Sequence, residues 1–206
     1  MCGRYAILEE ESILEMREII NQVNKNYVGR PGLVQSGDIA PTQVAPVLRD
    51  ECGLVKLDVM KWGFPRWDNT PGVIINARVE TVREKTAFRE AFQNRRIVVP
   101  SSGFYEWDHR QTSKRDKYFF SLTGQVVYMA GIYSSFAGQD GSLVECFAIL
   151  TCPAADAIAE LHDRMPVILP KSAIRTWLSP QTDSGLLLNW PSPPLVGTRI
   201  MPMSLL

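Results

Sequence analysis

The chain opens Met1-Cys2-Gly3-Arg4. Methionine before a small residue is a good substrate for initiator removal, which leaves Cys2 with a free amine beside its thiol. Reference pKa values are about 7.7–8.0 for an α-amine and about 8.5 for a thiol, so a useful fraction of the amine is neutral near neutral pH. Such an amine attacks an aldehyde to give an imine. The thiol on the adjacent carbon can then add to that imine and close a five-membered thiazolidine ring. An ordinary lysine Schiff base has no such second bond and hydrolyses readily. Taken alone, the motif favours a plainer reading, a small residue in a floppy terminus.

Four further segments carry residues able to do chemistry. WGFPRW runs from Trp62 to Trp67 and INARVET from Ile75 to Thr81. Asn76 can both donate and accept, Arg78 can pair with a phosphate, and Glu80 could orient that arginine. By themselves Arg78 and Glu80 read more simply as a strand-edge ion pair. VVPSSGFYEW, from Val98 to Trp107, alternates so that Glu106 projects inward between Tyr105 and Trp107. A carboxyl in a dry apolar site has a raised pKa and can serve as general acid and base; the alternative is a surface carboxylate on a two-faced strand. LHDRMPVIL, from Leu161 to Leu169, places His162 where a helix meets a Pro-bounded strand. A lone histidine is more often structural than catalytic. The second of the chain's 2 histidines, His109, falls in a charged, hairpin-like stretch from Asp108 to Lys117 and reads as solvent-exposed.

These residues need a scaffold, and the composition supplies one. The 206 residues are 45% apolar and 21% charged, enough for a real core in a single domain spanning 1–206. Lys plus Arg and Asp plus Glu both number 22, which argues against a basic, non-specific nucleic-acid coat but allows a local basic groove. There is no apolar run of about 18 residues and no secretory leader pattern. A cytoplasmic protein without a membrane span is expected. Of the 4 cysteines, Cys146 and Cys152 lie in a strand-like apolar stretch and read as core. No paired metal-ligand spacing exists, so neither metal nor cofactor is expected. With no association stripe, a monomer is expected.

Periodicity predicts a helix over Glu10 to Val23, with Ser12 and the glutamates at its start, then a long ordered loop from Tyr27 to Ala45. A strand is predicted over Gly53 to Trp62, a short apolar run at Val73 to Ala77, and a helix over Arg83 to Asn94. Strands follow at 97–100, 103–107, 117–121, 126–133 and 144–151, then a helix from Pro153 to His162. A strand at Val167 to Leu169, a short helix at Lys171 to Leu178 and an irregular tail from Trp190 complete the order. Helices alternate poorly with strands, which argues against a doubly wound parallel sheet. The expected class is α+β: a mostly antiparallel, barrel-like sheet with flanking helices.

Each segment is weak alone, but the series MCGRYA, WGF, INARVET, VVPSSGFYEW, MAGIY, TCPA and LHDRMPVIL resembles the SOS-response-associated peptidase (SRAP) family from residue 2 to about residue 170. The resemblance implies a protein that senses abasic sites in single-stranded DNA, including at strand junctions, and links to them covalently. It implies that Cys2 is the exposed nucleophile forming a thiazolidine with the ring-opened deoxyribose. Asn76 matches the asparagine beside that sugar, Glu106 the glutamate of crosslink formation and methionine removal, and His162 the histidine of ring opening and crosslink reversal. Arg4 and Arg78 match contacts to the DNA backbone, and Trp67 an aromatic wedge near the lesion. The segment between Gly63 and Trp67 is shorter than in many relatives, which bears on the register of Trp67. The chain stops at MPMSLL where many relatives continue with a DNA-facing segment, which implies lower DNA affinity.

Three rivals remain. An N-terminal-nucleophile amidohydrolase also begins Met-Cys-Gly, but leaves WGF, FYEW and HDRMP unexplained; ammonia release from glutamine would support it. A thiol peptidase would use Cys2, Glu106 and His162, with removal of Met1 as its minimal form. A non-catalytic binder of modified bases would not need Cys2.

Overall fold

The two longest strands, 11 residues each, organise the molecule: β11 (Val127–Ala137) and β12 (Leu143–Pro153) pair antiparallel from Gly131↔Ile149 to Ala137↔Leu143. The computed structural model describes residues 2–9, 13–27, 34, 36–68, 70–110, 115–138, 140–182 and 191–201. From β12 the sheet runs through β4 (Leu54–Trp62), β3 (Val44–Glu51) and β8 (Arg96–Ser101) back to β11, closing a ring. Closure pairs each of these strands on both sides over part of its length, and alternate side chains fill the interior. Val47, Met60, Trp62, Ile97, Val99 and Phe147, which the registers place on one face, are all buried.

Short strands extend this ring. β7 (Asn76–Arg78) and β13 (Arg164–Pro166) pair with β12, and β14 (Ile168–Leu169) pairs with β11. The pairings of β12 with β4 and with β7 are parallel; the other recorded pairings are antiparallel. A second sheet has the order β15 (Val196–Ile200), β10 (Lys117–Ser121), β9 (Gly103–Trp107), β1 (Tyr5–Ile7) and β2 (Gly37–Ile39). β5 (Phe64–Pro65) and β6 (Val73–Ile74) form a small hairpin. The class is α+β, mostly antiparallel and barrel-like, with flanking helices.

Helix α1 (Leu14–Asn26) buries Met16, Ile19, Ile20 and Val23, the helical spacing read in the sequence. Ser12, Glu10 and Glu11, read as its start, lie outside the described residues. Helix α2 (Thr86–Asn94) buries Phe88, Ala91 and Phe92. Its C-terminus is tied to that of α4 (Ile174–Leu178) by one buried side chain. Arg96 donates to the carbonyls of Phe92 and Gln93 at 2.9 and 2.8 Å, to that of Trp177 at 2.6 Å and to that of Ser179. The guanidinium thereby satisfies carbonyls that both helix ends leave without partners.

Four sequence expectations change. The loop expected over 27–45 contains β2 and the start of β3, although part of it lies outside the described residues. Pro46 hid β3, since proline argues against a strand; β8 pairs only with Leu48 and Arg49, which leaves one side of Pro46 open. The helix expected from Pro153 shrinks to α3 (Asp156–Ala159), because Pro153 is still paired with Arg164 in the sheet. The tail contains β15, whose side chains are all exposed and so carry no apolar period. Finally, β1 was not anticipated. Among the described residues, no helix is long and apolar enough to cross a membrane.

Candidate active site

Glu106 enters the interior because β9 alternates. Phe104 and Glu106 are buried while Tyr105 and Trp107 are half-buried. Gly103 allows this strand to lie close to β10, since a Cβ there would sit 2.4 Å from the Phe120 carbonyl oxygen. The Glu106 side chain is 1% exposed, and its Oε2 lies 4.0 Å from Nε2 of His162, itself 3% exposed. The main chain fixes the imidazole. The Arg164 amide donates to His162 Nδ1 at 2.9 Å. An amide is a donor at any pH, so Nδ1 accepts and the proton of the neutral ring sits on Nε2, on the side of Glu106. Asp163 Oδ1 is also 2.9 Å from Nδ1, a contact that becomes an ion pair only if the ring protonates.

Burial sets both charges. Desolvation pushes the Glu106 carboxyl up to about 7, with a further rise from Asp163 and a counteracting pull from the positive amino terminus. Desolvation, the amino terminus and His109 together push His162 down to about 4. At mildly acidic pH both groups are neutral, so no ion pair forms despite the short separation. Near neutrality the site holds one carboxylic acid ready to give or take a proton.

The two shifts have opposite linkage to folding. Glu106 is raised from 4.5, so its contribution is full below that value and is lost as pH rises to about 7. His162 is lowered from 6.5, so its contribution is full above that value and is lost as pH falls to about 4. In the native protein the slopes largely offset. Glu106→Gln is expected to leave stability rising with pH across this window, and His162→Gln to leave it falling, each by about 1–3 kcal/mol. Urea midpoints at about pH 5 and about pH 7 check the two signs; equal slopes in both variants would contradict the assignment.

Cys2 is 0% exposed, not the exposed nucleophile that the resemblance implied. Asn76 Nδ2 donates to its carbonyl oxygen at 2.9 Å, and its thiol points to the Arg4 carbonyl at 3.7 Å. Those two contacts turn the residue into the interior just before β1 begins. Burial first, then the nearby Glu106 carboxyl, raises the thiol well above its ordinary range, so it is protonated at neutral pH. Asn76 is placed by the WGF motif. Gly63 has φ +112° and packs so tightly that a Cβ would lie 2.6 Å from Val73 Cγ2. Trp62 Nε1 donates to the Ile75 carbonyl at 3.1 Å. Together they hold the segment that delivers Asn76. The buried Oδ1 of Asn76 has no hydrogen-bond partner among the described residues.

The fold thus brings Cys2, Asn76, Glu106 and His162 together. Arg78 is exposed and shares the strand face of Asn76, two residues along β7. Arg4 lies just before β1, half-buried, where it meets Asp38 at 3.5 Å. Trp67 is 65% exposed, its ring centroid 6.4 Å from that of Phe88 in an edge-on arrangement. Glu80 does not orient Arg78. It pairs with Arg164 through two bonds of 2.5 and 2.9 Å, while Arg164 also donates to the Thr151 carbonyl at 2.6 Å. A buried arginine needs its carboxylate more than an exposed one does, and β13 carries Arg164 past Thr151. Cys146 is buried as expected, and Cys152 is half-buried.

Sequence reasoning missed Arg164, although it stands in LHDRMP beside His162. It also missed the contact between the 2 histidines of the chain. His109 is exposed, as read, but its ring meets His162 edge-on at 4.2 Å. Its amide also donates to the Leu161 carbonyl at 3.0 Å. No spacing rule links positions so far apart.

Comparison with known proteins gives a consistent picture. The SOS response associated peptidase (SRAP) family matches residues 1–196. The chain is 28% identical to the abasic site processing protein YoaM of Bacillus subtilis, over 89% of this chain and 82% of that protein. It is 29% identical to the abasic site processing protein YedK of Escherichia coli, over 86% and 79% respectively. In fold it is similar to a crystal structure of a Bacteroides thetaiotaomicron protein, with a TM-score of 0.76, 21% identity, and coverage of 97% of this chain and 92% of that one.

Proposed function

The chain belongs to the SOS response associated peptidase family, and from that premise we propose that it traps abasic sites in single-stranded DNA through a thiazolidine formed by Cys2. The observation carrying this reading is the convergence of Asn76, Glu106 and His162 on a cysteine that follows the initiator methionine. An abasic deoxyribose is largely a closed hemiacetal. Glu106, poised near neutrality, protonates the ring oxygen and takes the hemiacetal proton, and neutral His162 holds the freed oxygen. The Cys2 amine attacks the aldehyde carbon and water leaves, giving an imine. The thiol then adds across the C=N bond: sulfur goes to carbon and the proton to nitrogen. No cofactor is required. Removal of Met1 frees the amine, and Glu106 is the base best placed for self-removal, the peptidase side of this reading. Incubation with an oligonucleotide carrying an abasic aldehyde is expected to give a heat-stable band on a denaturing gel. A tetrahydrofuran analogue, which has no aldehyde, is expected to give none. Equal bands from both would overturn the reading.

The strand is positioned through phosphates rather than read through bases. Arg78 and Arg4 contact phosphates, and exposed Trp67 stacks on a neighbouring base. Arg78→Ala is expected to weaken non-covalent binding alike across sequences. It is also expected to reduce the slope of log affinity against log salt by about 0.7, one phosphate on a single strand. Fluorescence anisotropy at several salt concentrations checks this; an unchanged slope removes Arg78 from the interface.

A further inference from the structure

Tyr5 is a tyrosine where phenylalanine would pack more cheaply. It is 0% exposed, and its hydroxyl has no hydrogen-bond partner among the described residues. An unpaired buried hydroxyl is costly, so its presence asks for a partner that arrives during function. Its surroundings point to that partner. Tyr5 stands opposite Phe104 in the β1–β9 register, on the face that also carries Glu106. Its ring lies against Trp62, with centroids 5.1 Å apart. Trp62 is bonded to the Ile75 carbonyl, and the next residue, Asn76, is bonded to the Cys2 carbonyl. These contacts run from the Tyr5 ring to the main chain of Cys2, and the Cys2 thiol acts electrostatically on the Tyr5 phenol.

We propose that the Tyr5 hydroxyl is the hydrogen-bond donor that meets the Cys2 sulfur when it swings from the Arg4 carbonyl to add to the imine. This rests on the thiazolidine reading above. The resting thiol is protonated and directed at a carbonyl oxygen, which suits storage and not attack. Addition builds negative charge on sulfur as the S–H bond breaks and the S–C bond forms. A donor placed in a dry site stabilises that charge at its full strength. Burial keeps the phenol itself protonated, so it acts as donor throughout and never as base. The sulfur proton ends on the former imine nitrogen. In the finished ring the phenol faces the thioether sulfur, a weak acceptor.

The test is Tyr5→Phe in protein that has lost Met1, mixed with an abasic oligonucleotide and sampled with and without sodium borohydride. Borohydride captures the imine and not the closed ring. Imine capture at early times is expected to match the native protein, while conversion to the borohydride-insensitive adduct slows about tenfold. The variant is expected to fold at least as stably, since it loses an unpaired polar group. Equal conversion rates would overturn the role of Tyr5 and leave the hydroxyl as a packing feature. If neither protein yields any adduct, the thiazolidine reading itself fails, a result the borohydride arm separates from loss of ring closure alone.

Discussion

Cys2→Ala is expected to abolish the heat-stable adduct with abasic single-stranded DNA. An alanine amine can still form an imine, but that bond hydrolyses because nothing closes over it. Borohydride therefore should still capture the variant on the oligonucleotide, while heating without reductant should release it. A denaturing gel run both ways checks this. The expectation separates the proposal from one rival, since a binder of modified bases would not need the thiol. The fold should survive the change, because the main chain of Cys2 makes the bond to Asn76.

The next largest effect is expected at Glu106. Glu106→Gln keeps the size of the side chain and removes its proton chemistry, so crosslinking should slow by roughly 10²–10⁴-fold. The native rate should also carry an inflection near pH 7, the value to which burial pushes this carboxyl. In the variant that inflection should vanish. A single-turnover rate profile between about pH 5 and about pH 9 reads both effects. An inflection that persists in Glu106→Gln would assign the titration to another group. The amine of Cys2 is the natural candidate, since its ordinary value lies about one unit higher.

Much of this site could be read from residue order, for a physical reason. Strand alternation is local, so the inward turn of Glu106 follows from FYEW alone. The junction position of His162 follows from a proline-bounded strand after it. The helical faces of α1 and α2 are equally local, and both were found with small errors at their ends. What escaped depends on long-range pairing. Glu80 chose Arg164 over Arg78 because β13 returns beside β12, a fact that neighbouring residues do not encode. The contact of His109 with His162 needs the β9 loop to bond to Leu161. β15 is held by backbone bonds to β10 and exposes every side chain, so no pattern marked it. The burial of Cys2 also comes from afar, through Asn76 on a different strand.

The thiol is shielded and protonated in the resting state, which protects it from oxidation and from stray aldehydes. On the proposed reading, reactivity then waits for an amine freed from Met1 and for a lesion small enough to enter.

Mass spectrometry of the adduct, digested to peptides, tests the chemistry at its source. The expected result is a fragment beginning at Cys2, heavier by the sugar-containing remnant less one water, with its sulfur resistant to alkylation and its mass unmoved by borohydride. A fragment that retains Met1, or a remnant carried on a lysine, would contradict it.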